Sequence, residues 1–251
     1  MNTDVDILKK HLIELARRAS GGSYFTFSDF LGLAEQSALS EIERELNVRH
    51  ERFGGAEGAE RVIVRFGDEE EIGYSQDYPI SCIKIEPVAP KFAEKLTHRD
   101  FLGALLNLGI ERSVLGDIIV NDSVAYVFAL EDITEYIVSS LFRVKHTDVK
   151  LSVTQSIPEG ELYRTEPRRI TAEGERLDAV IAKVYFMSRG DAQSLFKKRL
   201  VFVDGRMCES PSYRPKADER ISVRGLGRMI YRGASGTTKK GKLAIAVDVY
   251  V

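Results

Sequence analysis

Arg189, Gln193 and Lys197 recur at i, i+4 and i+8. On a helix that spacing lines them up along about 12 Å of one face. Lys198 and Arg199 thicken the row at its C-terminal end. Cations held at such a pitch can neutralise successive phosphates of a structured nucleic acid and release its counterions. A single one of these side chains would be an ordinary solvated charge. Their neighbourhood gives the row its meaning: residues 174–242 hold 16 Lys and Arg against seven Asp and Glu, a net of +9. The rest of the chain holds 20 against 31, so a local excess of +9 hides inside a formal net charge of −2. Charge asymmetry of this kind points to an anionic partner.

Other chemistry is weaker. His98-Arg99-Asp100 invites a protein-kinase reading, but the kinase pattern needs Asn five residues after the Asp, where this chain has Leu105. A helix N-terminal cap explains it better. Gly225-Leu226-Gly227-Arg228 is too short for a dinucleotide fingerprint. His11, His50, His98 and His146 are scattered, which argues against a metal site. Cys82 and Cys208 lie too far apart in sequence for a zinc knuckle or a disulfide framework. No residue pair has the form of a nucleophile with its base. The expectation is therefore a protein without a cofactor, a metal or catalysis. No apolar run approaches 18 residues and the N-terminus lacks a signal-peptide pattern, so a cytoplasmic protein without a membrane partner is expected.

The elements that must position the basic row are legible nearby. Leu177, Val180, Ile181 and Val184 fall on one face of a helix from Arg176 to Tyr185. Ser188 and Asp191 form a cap for a second helix, whose Ala192, Leu195 and Phe196 face inward. Val201–Val203 is a strand entering an Asp204-Gly205 turn, and Ile221–Arg224 is another. Gly233–Lys242, with Lys239, Lys240 and Lys242, reads as a cationic hairpin tip or RNA-touching loop.

Upstream, the order is β-α-β-β-α-β. It comprises a strand at Ile80–Pro87, a helix through Phe101 and Leu105, a hairpin over 118–129, a helix over Asp132–Phe142 and a strand at Val149–Gln155. That is the split ferredoxin-like pattern shared by RNA-recognition motifs. Such motifs stack bases on exposed aromatics, for which Tyr126 and Phe128 are the candidates, although the same face could be core. Before it lie an amphipathic helix closed by Gly21-Gly22, a second helix through Leu39 and Ile42, and a strand at Val62–Phe66. The acid run Asp68–Glu71 reads as a solvated loop. The fold class is α+β. The expected domains are a small α+β domain at 1–78, a ferredoxin-like domain at 79–156, a linker at 157–173 and a basic domain at 174–251. The linker carries at most a short strand at Ile170-Thr171.

Several of these stretches resemble known families. Arg176-Leu177-Asp178, Ser188-Arg189, Ala192-Gln193, Val201-x-Val203-Asp204-Gly205, Pro211-Ser212-Tyr213 and Ile221–Arg224 resemble the S-four-type RNA-binding domain. The resemblance implies RNA contact by Arg176, Arg189, Gln193, Lys197 and Lys198, and a structural role for Asp178 beside those basic side chains. Arg199, Arg224 and Arg228 complete the expected RNA-binding set. His98–Leu105, Gly109-Ile110-x-Arg112, Gly116-Asp117-Ile118 and Gly225–Arg228 resemble the YlmH family of bacterial proteins. That resemblance implies an adaptor of ribosome-associated quality control. Its expected partners are large-subunit ribosomal RNA, a tRNA or peptidyl-tRNA and quality-control protein factors, and its role is to assist alanine tailing of stalled chains. The alternative is an RNA-modifying enzyme: Gly174–Asp178 is similar to the catalytic-aspartate motif of pseudouridine synthases, but too few residues follow it for their catalytic domain.

Overall fold

The structure is a computed structural model that describes residues 3–154, 163–238 and 241–250. Its contacts gather into two units, residues 1–162 and 163–251.

In the first unit, helix α1 (Thr3–Gly22) packs with α2 (Leu33–Ile42). They cover a three-stranded antiparallel sheet of β1 (Thr26–Phe27), β2 (His50–Phe53) and β3 (Ile63–Phe66), in the order β1-β3-β2. Leu12, Leu15, Ala16, Leu39, Ile42, Val64 and Phe66 form its core, at the helical and strand spacings of the sequence. The acid run is not a loop. Asp68 accepts from the Glu70 amide at 2.9 Å and caps a one-turn helix, α3 (Glu69–Ile72), which Gly73 closes with φ +85°. Carboxylates in a first helical turn face the exposed amides and are favoured there.

The ferredoxin-like pattern follows in full. Strand β4 (Ile80–Pro87) leads to α4 (His98–Asn107), the hairpin β5 (Leu115–Asn121) and β6 (Val124–Leu130), then α5 (Glu131–Ser140) and β8 (Thr147–Thr154). A two-residue strand, β7 (Arg143–Val144), adds an edge, so the antiparallel sheet runs β5-β6-β4-β8-β7. Ile83, Ile85, Ala125, Val127 and Ala129 share one sheet face and bury against Phe101 and Leu105 of α4 and Ile137 of α5. The opposite face carries Tyr126 and Phe128, which are 8% and 1% exposed. Base stacking on them is therefore ruled out as the structure stands. Residues from the N-terminal elements cover Phe128. A Cβ on Gly55 would fall 2.3 Å from its ring, and a Cβ on Gly116 would meet both Phe30 and Phe128 within 3 Å.

Arg61 ties these layers together. Its Nε donates to the Leu115 carbonyl at 2.8 Å, and its Nη2 donates to the carbonyls of Phe30 and Arg112 at 2.7 and 3.1 Å. The Asp117 carboxylate accepts from the amides of Glu60 and Arg61 at 2.8 and 3.1 Å. The expected boundary at 78/79 thus falls inside one packed unit.

In the second unit, β9 (Thr165–Ala172) pairs along its whole length with β14 (Leu243–Tyr250). The segment expected as a linker therefore contributes an eight-residue strand, while its residues 157–162 lie outside the described residues. Between these strands lie α6 (Leu177–Val184), α7 (Arg189–Lys197), β10 (Val201–Val203), β11 (Arg206–Met207), β12 (Arg220–Val223) and β13 (Gly227–Thr237). The six-stranded sheet runs β11-β10-β12-β13-β14-β9. Leu177, Val180, Ile181, Ala192 and Phe196 bury against Val201, Ile221, Met229, Tyr231, Ile245 and Val247. The Asp204-Gly205 turn has φ of +47° and +76°, the left-handed pair that a tight hairpin requires. Of the stretch expected as a hairpin tip or loop, residues 233–237 continue β13 and pair with β14, and 238–242 lie between the two strands, with Lys239 and Lys240 outside the described residues.

Candidate nucleic-acid interface

The predicted basic row is organised by one buried carboxylate. Asp178, in the first turn of α6, has a fully buried side chain. The Nε and Nη2 of Arg176 donate to its two oxygens at 3.1 and 3.0 Å. Arg189 Nε reaches it at 3.2 Å and Gln193 Nε2 at 2.8 Å, both from α7. The Ala179 amide adds a fifth donor at 2.9 Å. A buried charge survives only when its lone pairs are satisfied in this way. Burial raises the Asp178 pKa, but the bonds from Arg176, Gln193 and Arg189 outweigh it and hold the group down at about 2.

Local structure explains why these groups meet. Ser188 caps α7: its hydroxyl accepts from the Asp191 amide at 3.1 Å and donates to the Asp191 carboxylate at 2.6 Å. That fixes where α7 begins. Burial of Ala192 and Phe196 fixes its rotation and turns Arg189 and Gln193 toward α6. The row is therefore not purely outward. Arg189 and Gln193 are anchored at the helix–helix seam, while Lys197 and Lys198 stand exposed at the C-terminal end. Arg176 and Arg189 keep side-chain exposures of 41% and 48%, so each can meet a ligand while its Nε stays fixed. Such anchoring removes rotamer entropy that binding would otherwise cost.

The remaining expected residues separate. Arg199 leaves α7 at φ +57° and its Nε donates to Glu209 at 2.8 Å, which neutralises its charge locally. Arg224 lies over the Phe202 ring at 5.7 Å, and its amide donates to the Leu200 carbonyl, close to the end of α7. Arg228, on β13, lies 4.4 Å from the Tyr250 ring centroid and 5.1 Å from that of Tyr163. No sequence pattern links those two tyrosines to Arg228, because β14 and the segment before β9 meet it through the sheet.

Elsewhere, His98-Arg99-Asp100 is the start of α4. Thr97 donates to Asp100 through its amide at 2.8 Å and its hydroxyl at 2.7 Å, as a helix cap does. Lys145 Nζ completes the set at 2.9 Å, and Asp100 is held down at about 2 by the bonds from Lys145 and Thr97. Burial pushes the Cys82 thiol up to about 12 and also raises Cys208. A thiolate nucleophile is disfavoured at both.

Two family models match these folded regions. Residues 175–221 match the S4 domain, and residues 74–157 match the family described as "Putative RNA-binding domain in YlmH". A curated relative, the Ribosome-associated protein quality control protein P2 of Bacillus subtilis (strain 168), is 29% identical over 225 residues. The match covers 88% of this chain and 86% of that one. The chain thus carries a YlmH-type RNA-binding domain followed by an S4 domain. Its S4 match holds all of α6 and α7, and with them Asp178 and its three side-chain partners. Its YlmH-type match holds the whole βαββαβ sheet. Among solved structures, the cell division protein ylmH from Streptococcus pneumoniae is 20% identical with a TM-score of 0.49. That match covers 61% of this chain and 93% of that one. Among the described residues no helix is long and apolar enough to cross a membrane, and no three His, Cys, Asp or Glu side chains group as metal ligands.

Proposed function

We propose that this chain is a YlmH-type, non-enzymatic RNA-binding adaptor that works on the ribosome. In this reading the α6–α7 face docks on ribosomal RNA of the large subunit and on the tRNA or peptidyl-tRNA beside it. Docking there would serve quality control and alanine tailing of stalled nascent chains. The contact residues are Arg176, Arg189, Gln193, Lys197 and Lys198, with Arg224 and Arg228 on the adjoining sheet. The first unit supplies further RNA or protein surface.

The observation that carries the reading is the Asp178 hub. It is a fully buried carboxylate that sets two half-exposed guanidinium groups and one amide on the seam between two helices. A fixed fork of this kind suits phosphate oxygens, which arginine meets bidentately. The relative's name, which places that protein in ribosome-associated quality control, supports the cellular setting. A binding role also accounts for Asp100. The Asp100–Lys145 pair could be taken for an acid–base couple, but both Asp100 oxygens are occupied, one by the Thr97 cap and one by Lys145.

The test is co-sedimentation with 50S particles. The Lys197→Glu/Lys198→Glu variant, which leaves the Asp178 hub intact, should lose the particle while its circular dichroism is kept. Wild-type binding should weaken steeply with salt, by about one log-log unit per phosphate contacted. Normal co-sedimentation of the variant would sink the assignment of this face.

A further inference from the structure

The rings that an RNA-recognition motif would use for stacking are buried here, Phe128 beside Phe30 and Gly55. If the middle domain stacks a base, another ring must do it. A cavity of about 630 Å³ opens between α4 and the corner where α5 passes into β7. Arg99, Gly103 and Asn107 line it from α4, and Phe142, Arg143 and Lys145 from the corner. The size falls within the range of small-ligand sites.

Its chemistry is specific. Phe142 is 68% exposed, and its backbone is held by its carbonyl, which accepts from the Val149 amide at 2.9 Å. Three cations, Arg99, Arg143 and Lys145, line the same cavity. The one carboxylate in the lining, Asp100, is occupied by Thr97 and Lys145. Arg143 shares a solvent-exposed bond with Asp148, which water and competing anions weaken readily. Gly103 leaves the floor open, since a Cβ there would meet nothing within 4 Å. An exposed ring among cations is the combination that holds single-stranded nucleic acid: the ring stacks a base and the cations take the flanking phosphates. A helix face without the aromatic would serve duplex backbone alone.

We propose that this cavity binds one unstacked nucleotide of single-stranded RNA. The base lies on Phe142, and the adjacent phosphates lie on Arg99 and Arg143. The proposal rests on the RNA-binding reading above and adds a second, separate site to it.

The experiment uses the full-length chain and fluorescence anisotropy with a single-stranded RNA 12-mer, the matching duplex and an acidic poly-glutamate peptide. Phe142→Ala should weaken single-stranded binding about fivefold to 150-fold, the range for loss of one stacked base. Gly103→Leu should do the same by filling the floor, and a leucine in place of a helix-interior glycine favours the fold. Both should leave duplex binding within twofold. A 4-thiouridine in the strand should cross-link to the peptide containing Phe142. If both variants bind the single strand as the wild type does, the cavity assignment is overturned. In that case, loss of RNA in Lys197→Glu/Lys198→Glu would show that the general RNA-binding reading survives. A wild type that binds neither RNA overturns both. Peptide binding that depends on Phe142, with RNA binding that does not, makes this a protein-docking site instead.

Discussion

Replacing Asp178 with Asn tests the hub directly. The side chain keeps its shape but loses its charge, and its amide then faces three nitrogen donors. The folded-state pKa of about 2, against an ordinary 3.8, corresponds to about 2 kcal/mol of stability at neutral pH. The sign follows from the direction of the shift. A depressed carboxylate pKa stabilises the fold at pH above about 4, and the contribution fades as pH falls toward 2. Arg176 and Arg189 are half exposed and can return to water, so the cost stays well below that of stranding a fully buried partner. The chain has ten tyrosines and no tryptophan, so urea unfolding is best followed by far-ultraviolet circular dichroism. With a slope of about 2 kcal/mol per molar urea, the transition of the C-terminal unit should move down by about 1 M at pH 7. Hydrogen exchange should assign the loss to α6 and α7. RNA binding should also weaken although Asp178 has no exposed surface, because Arg189 and Gln193 lose their anchor. A midpoint within 0.2 M of wild type, by our reckoning about 0.4 kcal/mol, with unchanged exchange would refute the hub as a stabilising device.

Other outcomes follow from the same geometry. Arg61→Ala should destabilise the first unit by about 2 kcal/mol or more, since three carbonyls each lose a donor, those of Leu115 and Arg112 keeping one from the Arg112 guanidinium and the Leu115 amide. Thermal unfolding by circular dichroism checks this. Gly55→Ala should cost more than about 1 kcal/mol, because φ is +92° and the added methyl meets Phe128. The melting temperature reads it. Lys197→Ala should reduce the log-log salt slope of RNA binding by about 0.7 to 0.9, the loss of one phosphate contact. Arg199→Ala should change affinity less than Lys197→Ala in the same titration, because Glu209 already neutralises Arg199.

The sequence by itself determined what local periodicity and short motifs control. Leu177, Val180, Ile181 and Val184 set the buried face of α6, and Ser188 with Asp191 set the start of α7. The Asp-Gly turn and the βαββαβ order were likewise legible, as was the basic excess over 174–242. These depend on residues a few positions apart, which a helical turn or a hairpin brings together whatever the rest of the chain does. The tertiary structure decided the rest. Arg189 and Gln193 turn toward a carboxylate on another helix, and Arg199 pairs with Glu209 instead of extending the row. Strand β9 exists as eight residues because β14, from the far end of the domain, supplies its hydrogen bonds. Tyr126 and Phe128 have the spacing of a stacking face, but both are buried, Phe128 beside Gly55 and Phe30 from elsewhere in the chain. In each case the deciding contact joins residues distant in sequence. Which of them meet depends on how whole elements dock, and no local spacing encodes that.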